Sequence, residues 1–183
     1  MKLSYDQIYQ DVKSLIRKYE TDNPREILQL RGVKLIAFTE NTKLLGMYKI
    51  IKRNRFVFFN PFINENLLKS VLSHELGHDL YHRKQAKTGE IIEYELFNIK
   101  DSMETQANIF ACHLLIDDDE IKKELLKGRS YDELAMIFKV NVNLIIFKLN
   151  EMYRMGKLEK FPDQPNQNFF SKIDGRNPDN FEI

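Results

Sequence analysis

His74-Glu75-Leu76-Gly77-His78 is the stretch whose residue types and spacing could carry chemistry. On a helix, residues four apart share a face with Cβ atoms about 5–6 Å apart, so the His74 and His78 imidazoles can converge on one metal ion. Glu75 lies about 100° further round the axis, where its carboxylate can reach over the open side of that ion rather than bind it. The chemistry is that of a zinc hydrolase: a metal held by side chains with a position left for water, and a base to take the water's proton. The competing reading is two surface histidines and a solvated glutamate on an ordinary amphipathic helix. Context decides between them.

A catalytic zinc takes three protein ligands. His82 is eight residues from His74, about 12 Å along the axis, too far to share an ion with bonds near 2.1 Å. It is expected behind the site or on the surface. Nothing in the spacing places His113 beside His74. Glu104 begins a helix face that continues with Ala107, Asn108 and Ala111. These small residues would let two helices approach, and Asn108 could orient a ligand by hydrogen bonding. Glu93, Glu95 and Asp101 remain alternatives as third ligand. A donor for the developing oxyanion could come from Tyr81, Tyr94, His82 or His113, and the sequence does not choose.

The elements that must position these groups are legible from periodicity. Leu67, Leu68, Val71, Leu72, Leu76 and Leu80 give a buried stripe to a helix over 64–83, with Gly77 costing it about 1 kcal/mol relative to alanine. A second helix starts at Asp101 or Ser102, with Met103, Ala107, Phe110, Ala111 and Leu114 on its apolar face. Residues 84–99 between them read as a loop. Upstream, Ser4 caps a helix to about Glu20 bearing Ile8, Val12, Leu15, Ile16 and Tyr19, and Asn23-Pro24 opens a shorter one closed by Gly32. Val33–Phe38, Leu45–Ile51 and Arg55–Phe59 are strand-like, and we read them as a three-stranded antiparallel meander. An extended substrate could add beside Phe56 to Phe59. The fold expected is α+β: a small antiparallel sheet packed with two active-site helices, an N-terminal helix, and a helical subdomain.

Downstream, Ser130 and Glu133 form a capping box for a helix to Phe138, and Asn141 or Asn143 opens another to about Met155. Leu134, Ala135, Phe138, Val140 and Ile145 fall near the apolar positions of a helix-turn-helix, with Lys139 where the turn prefers glycine. Ile137, Ile145, Ile146 and Phe147 exceed what two helices can easily bury, which suggests docking. The organisation expected is 1–116 zinc-hydrolase domain with the N-terminal helix, 117–160 helical subdomain and 161–183 extended tail.

Composition excludes several function classes. A net charge of +1 gives no global attraction to nucleic acid, and residues 117–160 carry nine acidic and nine basic side chains, so direct DNA contact is not expected. The single Cys112 rules out an internal disulfide framework. No apolar run resembles a secretion signal or membrane span, and a cytoplasmic location is expected. From Asn41 to Asn64 there are five basic residues (Lys43, Lys49, Lys52, Arg53, Arg55) and no acid. These could dock an acidic partner, but protection of a strand edge is the favoured account.

The His74–His78 block with His82 following, and then Glu104-Thr105-Gln106-Ala107-Asn108-Ile109-Phe110-Ala111 leading into Leu114-Leu115, together resemble the ImmA/IrrE family of bacterial and phage-associated zinc metallopeptidases. The resemblance covers roughly Leu30 to Ile116. Its second block typically reads E-x-E-A-N-x-F-A, and Gln106 stands here where the second glutamate is common. The resemblance implies Zn2+ held by His74, His78 and Glu104, with Glu75 as the catalytic residue. It also implies a protein substrate, a helix-turn-helix repressor of a phage or mobile element whose cleavage relieves repression. The alternatives are a non-proteolytic antirepressor or a toxin–antitoxin component that retains the zinc site.

Overall fold

The computed structural model describes residues 3–89, 91–93 and 102–160. The Ser4 side chain accepts from Gln7 N and starts helix α1 (Tyr5–Tyr19), which buries Ile8, Val12 and Leu15. Asn23 caps α2 (Pro24–Leu30), with Pro24 in its first turn, where a missing N–H costs nothing. Gly32 follows at φ 75, a left-handed conformation that turns the chain into the sheet.

That sheet corrects the expected meander. Among the described residues it has four strands, β1 (Lys34–Ala37), β2 (Gly46–Ile51), β3 (Asn54–Phe59) and β4 (Ile91–Glu93), in the order β1-β3-β2-β4. β2 and β3 form an antiparallel hairpin about the Lys52-Arg53 turn, with Tyr48 opposite Val57. β1 runs parallel to β3, pairing Lys34 with Phe56. The segment from Phe38 to Leu45 is no tight turn but a crossing that carries β2 past β3. A parallel pair needs such an intervening connection, whereas a hairpin does not. β4, antiparallel to β2, falls within the expected loop 84–99 and is too short to announce itself by alternation. β3 is thus paired on both sides, so no substrate strand can add at Phe56–Phe59.

The Asn64 side chain accepts from Leu67 N and opens α3 (Glu65–Tyr81). Every residue from Ser70 to Asp79 is buried, so this is a central helix rather than one with a single buried stripe. The sheet covers one side, through Tyr48 and Val57, and α5 (Ser102–Leu115) covers another. Gly77 is where α3 and α5 meet: a Cβ there would lie 3.0 Å from Ala107 Cα and 3.3 Å from Ala107 Cβ. The short α4 (Gln85–Thr88) follows α3 and packs near β2.

Three further helices, α6 (Asp118–Leu126), α7 (Tyr131–Phe138) and α8 (Val142–Arg154), share the core with α1 and α5. Asp118 fastens them: Lys148 Nζ donates to Oδ1 at 2.5 Å, and Tyr9 and Lys157 donate to Oδ2 at 2.9 and 2.5 Å. Ser130 and Glu133 form the expected capping box, and Lys139 takes the left-handed turn between α7 and α8 at φ 54. Of the four apolar residues some of which were expected to be left for docking, Ile145 and Ile146 are buried and Phe147 is partly so, because α8 lies against α5. Only Ile137 is exposed. No helix among the described residues is long and apolar enough to cross a membrane. The expected tail, 161–183, lies outside the described residues.

Candidate active site

The i, i+4 spacing on α3 turns His74, His78 and His82 toward α5, and the first turns of α5 answer with Glu104, Gln106 and Asn108. His74 Nε2 lies 3.0 Å from Glu104 Oε2 and 2.9 Å from His78 Nε2, and His78 Nε2 lies 3.5 Å from Glu104 Oε1. A tetrahedral ion with bonds of about 2.1 Å sets its ligand atoms roughly 3.4 Å apart. Three neutral or anionic donors at such separations fit one divalent metal ion, and this trio can hold one. The imidazoles are almost fully buried, while the Glu104 side chain keeps 17% of its surface, so the cluster opens on the carboxylate's side.

The opposite ring nitrogens are engaged by the protein. His74 Nδ1 is 2.9 Å from Asn108 Oδ1, and His78 Nδ1 is 2.8 Å from His82 Nδ1. His82 continues through Nε2 to Gln106 Oε1 at 3.0 Å. This is the supporting arrangement usual behind metal-binding histidines. Burial pushes the His78 pKa down to about 4, outweighing the pull of Glu104, so the ring is neutral at neutral pH. Burial alone would raise the Glu104 pKa, but hydrogen bonds from His74 and His78 hold it well below the usual carboxylate range.

Glu75 is fully buried on the adjacent face of α3, turned toward the start of β2. A Cβ on Gly46 would stand 2.6 Å from Glu75 Oε1 and 2.7 Å from Val71 Cγ1, so any side chain at 46 would displace the carboxylate.

One turn on, Asp79 carries a role the sequence did not suggest. It accepts from Tyr48 Oη at 2.8 Å, Arg31 Nε at 2.8 Å, Arg55 Nη1 at 2.9 and 3.0 Å, and Arg83 Nη2 at 3.3 Å. Arg55 also donates to the Arg31 carbonyl. Burial raises the Asp79 pKa, yet these donors more than offset it and leave a carboxylate below its usual range. Asp79 thereby clamps α3 to α2, β2 and β3. Its partners lie as much as 48 residues away, so no local pattern reveals the contact.

The remaining candidates separate. Tyr81 donates its hydroxyl to Asp11 at 3.1 Å, and His82 stands on the far side of His78. His113 packs edge-on against Tyr9 at 5.0 Å, with Nδ1 3.3 Å from Lys148 Nζ. None of these three sits at the cluster's open side. Tyr94, Glu95 and Asp101 lie outside the described residues, and Glu93 is placed only as the end of β4.

The architecture is thus an α+β peptidase-like frame in which a buried His-Glu-x-x-His helix meets a carboxylate from a second helix. Residues 31–150 match the model of the IrrE N-terminal-like domain, a peptidase family, and the chain belongs to that family. It is 33% identical over 144 residues to "Uncharacterized immunity region protein 2" of Bacillus phage phi105, covering 79% of this chain and 90% of the relative. It is 27% identical over 153 residues to "Metallopeptidase ImmA" of Bacillus subtilis (strain 168), covering 77% and 83%.

Proposed function

We propose that this protein is a zinc-dependent endopeptidase that cuts a regulatory protein at a specific site, with His74, His78 and Glu104 as metal ligands and Glu75 as the catalytic base. The observation that carries the reading is the cluster of Nε2, Nε2 and carboxylate atoms at near-tetrahedral separations, with a buried glutamate one residue from the first histidine. Zinc, when bound, supplies a Lewis acid that polarises the scissile carbonyl and acidifies water. With the metal bound, Asn108 Oδ1 would accept the Nδ1 proton of His74, and His82 would accept that of His78 while donating its own Nε2 proton to Gln106. Both ligand rings are thereby held with the Nε2 lone pair facing inward. Glu75 takes the proton from the attacking water and delivers it to the leaving amine. Gly46, lacking a side chain, gives that carboxylate its room.

The substrate we propose is a helix-turn-helix repressor of a phage or mobile element, cleaved in the cytoplasm. The relatives support this reading, one named as a phage immunity-region protein and the other as ImmA. We place its recognition in the helical subdomain 117–160, where Leu126, Met136 and Ile137 are exposed. The test is incubation of the purified protein with helix-turn-helix repressors from the same phage or mobile element, alongside Glu75→Gln. The expected result is cleavage by the parent, and a variant that keeps its metal and fold but does not cut. A Glu75→Gln protein that still relieves repression fully overturns the proteolytic reading in favour of a non-cutting antirepressor.

A further inference from the structure

The basic run at 43–55 ends at the tip of the β2–β3 hairpin, past the residues that β4 and β1 pair, so edge protection still applies there, and the tip has a second feature. Its tip lines an open cleft of about 340 Å³ formed by Ile50, Arg53, Arg55, Arg83 and Lys87. No acidic side chain is in that lining. Among the described residues the carboxylate that pairs with these arginines, Asp79, is buried and already shared by Arg31, Arg55 and Arg83. Among the described residues four cations thus line the cleft beside one buried acid, an excess of positive charge in a concave site.

The cations divide into two kinds. Arg55 and Arg83 are held in place by Asp79, with Arg83 Nε also donating to the Asp79 carbonyl at 2.6 Å. Arg53 and Lys87 are exposed, and their side chains make no ion pair or hydrogen bond among the described residues. Arg53 is also presented at a cost. The two-residue turn places Lys52 at φ 47 and Arg53 at φ 67, positions where Asn-Gly is preferred. A strained turn that carries two cations at the mouth of a cationic cleft points to a role in binding.

We propose that this cleft, between the β2–β3 tip and the C-terminal end of α3, is a binding site for a small phosphate-bearing anion. Two anchored guanidinium groups supply preorganised donors, and Arg53 and Lys87 close over the ligand, an arrangement suited to a group with several oxygens and more than one negative charge. The volume is that of a small-molecule site rather than of an extended docking surface. Ile50 gives the apolar wall against which the rest of such a molecule can rest. The site is separate from the His74–His78–Glu104 cluster and does not depend on the peptidase reading.

The test is calorimetric titration of the full chain with inorganic pyrophosphate, and separately with an octaglutamate peptide. The expected result is one-site binding of pyrophosphate that weakens with added salt. Arg53→Ala and Lys87→Ala should each lower the affinity about tenfold, the loss of one charge-assisted contact, while Lys43→Ala leaves it unchanged. Both key residues are exposed, so the variants keep their fold. Pyrophosphate binding that is insensitive to both substitutions places the anion elsewhere, the metal cluster included, and overturns the proposal. Binding of octaglutamate without pyrophosphate overturns it in favour of an acidic protein segment, and binding of neither leaves an ordinary solvated surface.

Discussion

Gly77→Ala tests whether the seam between α3 and α5 sets the geometry of the metal cluster. Two effects oppose each other. Alanine in a helix interior is worth about 1 kcal/mol over glycine, which alone would stabilise the protein. The added methyl, however, would stand 3.0 Å from Ala107 Cα and 3.3 Å from Ala107 Cβ, closer than carbon atoms ordinarily approach. The nearest atom is backbone, so no side-chain rotation relieves it. Overpacking of this kind costs about 1–3 kcal/mol, and a backbone contact belongs in the upper part of that range. We expect net destabilisation of about 1–2 kcal/mol in urea unfolding of the metal-free protein, read as a lower midpoint at unchanged slope. Because His78 is the next residue on α3 and Glu104 lies on α5, forcing the helices apart should also weaken metal binding. Ala107→Gly added to Gly77→Ala should restore only part of the loss, since it removes the Cβ but not the Cα. A Gly77→Ala protein that is more stable than the parent and binds metal equally well would refute the argument.

The other predictions concern the groups around that seam. Glu104→Ala should leave the purified protein without stoichiometric metal by elemental analysis, and a full complement would move the third ligand to another carboxylate. His82→Phe should weaken metal affinity about 10–100-fold in a chelator competition, while Gln106→Glu, by placing a carboxylate behind His82, should strengthen it. Asp79→Ala should cost about 3–5 kcal/mol in chemical unfolding, since it strands the partly buried Arg31 guanidinium and the buried Tyr48 hydroxyl. The native pKa of Asp79 is depressed, so its contribution is complete above the unfolded value near 4 and is lost as pH falls through the lower native value. Asp79→Asn should therefore flatten the acid limb of a stability–pH profile and leave its alkaline limb unchanged.

What could be read in the sequence divides along the range of the interactions. The pairing of His74 with His78 follows from helical periodicity, and the cap at Ser4 and the capping box at Ser130 are written in adjacent residues. The approach of Glu104 was partly legible, because Ala107 and Ala111 imply a close helix contact. The sheet order was not, because a strand's alternation says which face is buried but not which neighbour it takes. β1 prefers the far edge of β3 once the Lys52-Arg53 turn has joined β3 to β2. The Asp79 clamp stayed hidden for the same reason, since it joins residues from three separate elements through side-chain ends alone.

Along α3, successive residues serve different neighbours, and this gives one helix several independent duties. The row at 74, 78 and 82 faces α5, where Glu104, Asn108 and Gln106 answer it. The row at 75, 79 and 83 is turned about 100° away, where Gly46 and Tyr48 of the sheet, and Arg55 beyond them, take it up. The proposed base and ligands are thus adjacent in sequence yet fixed by different layers. Displacement of α5 would disturb metal geometry first, and a change in β2 would disturb Glu75 first. A side chain at position 46 should accordingly impair catalysis with metal content intact, whereas one at position 77 should impair metal binding. Comparing Gly46→Ala with Gly77→Ala by metal content and cleavage separates the two layers. Parallel loss of both properties in each variant would show that α3 moves as a rigid unit and that the division of labour does not hold.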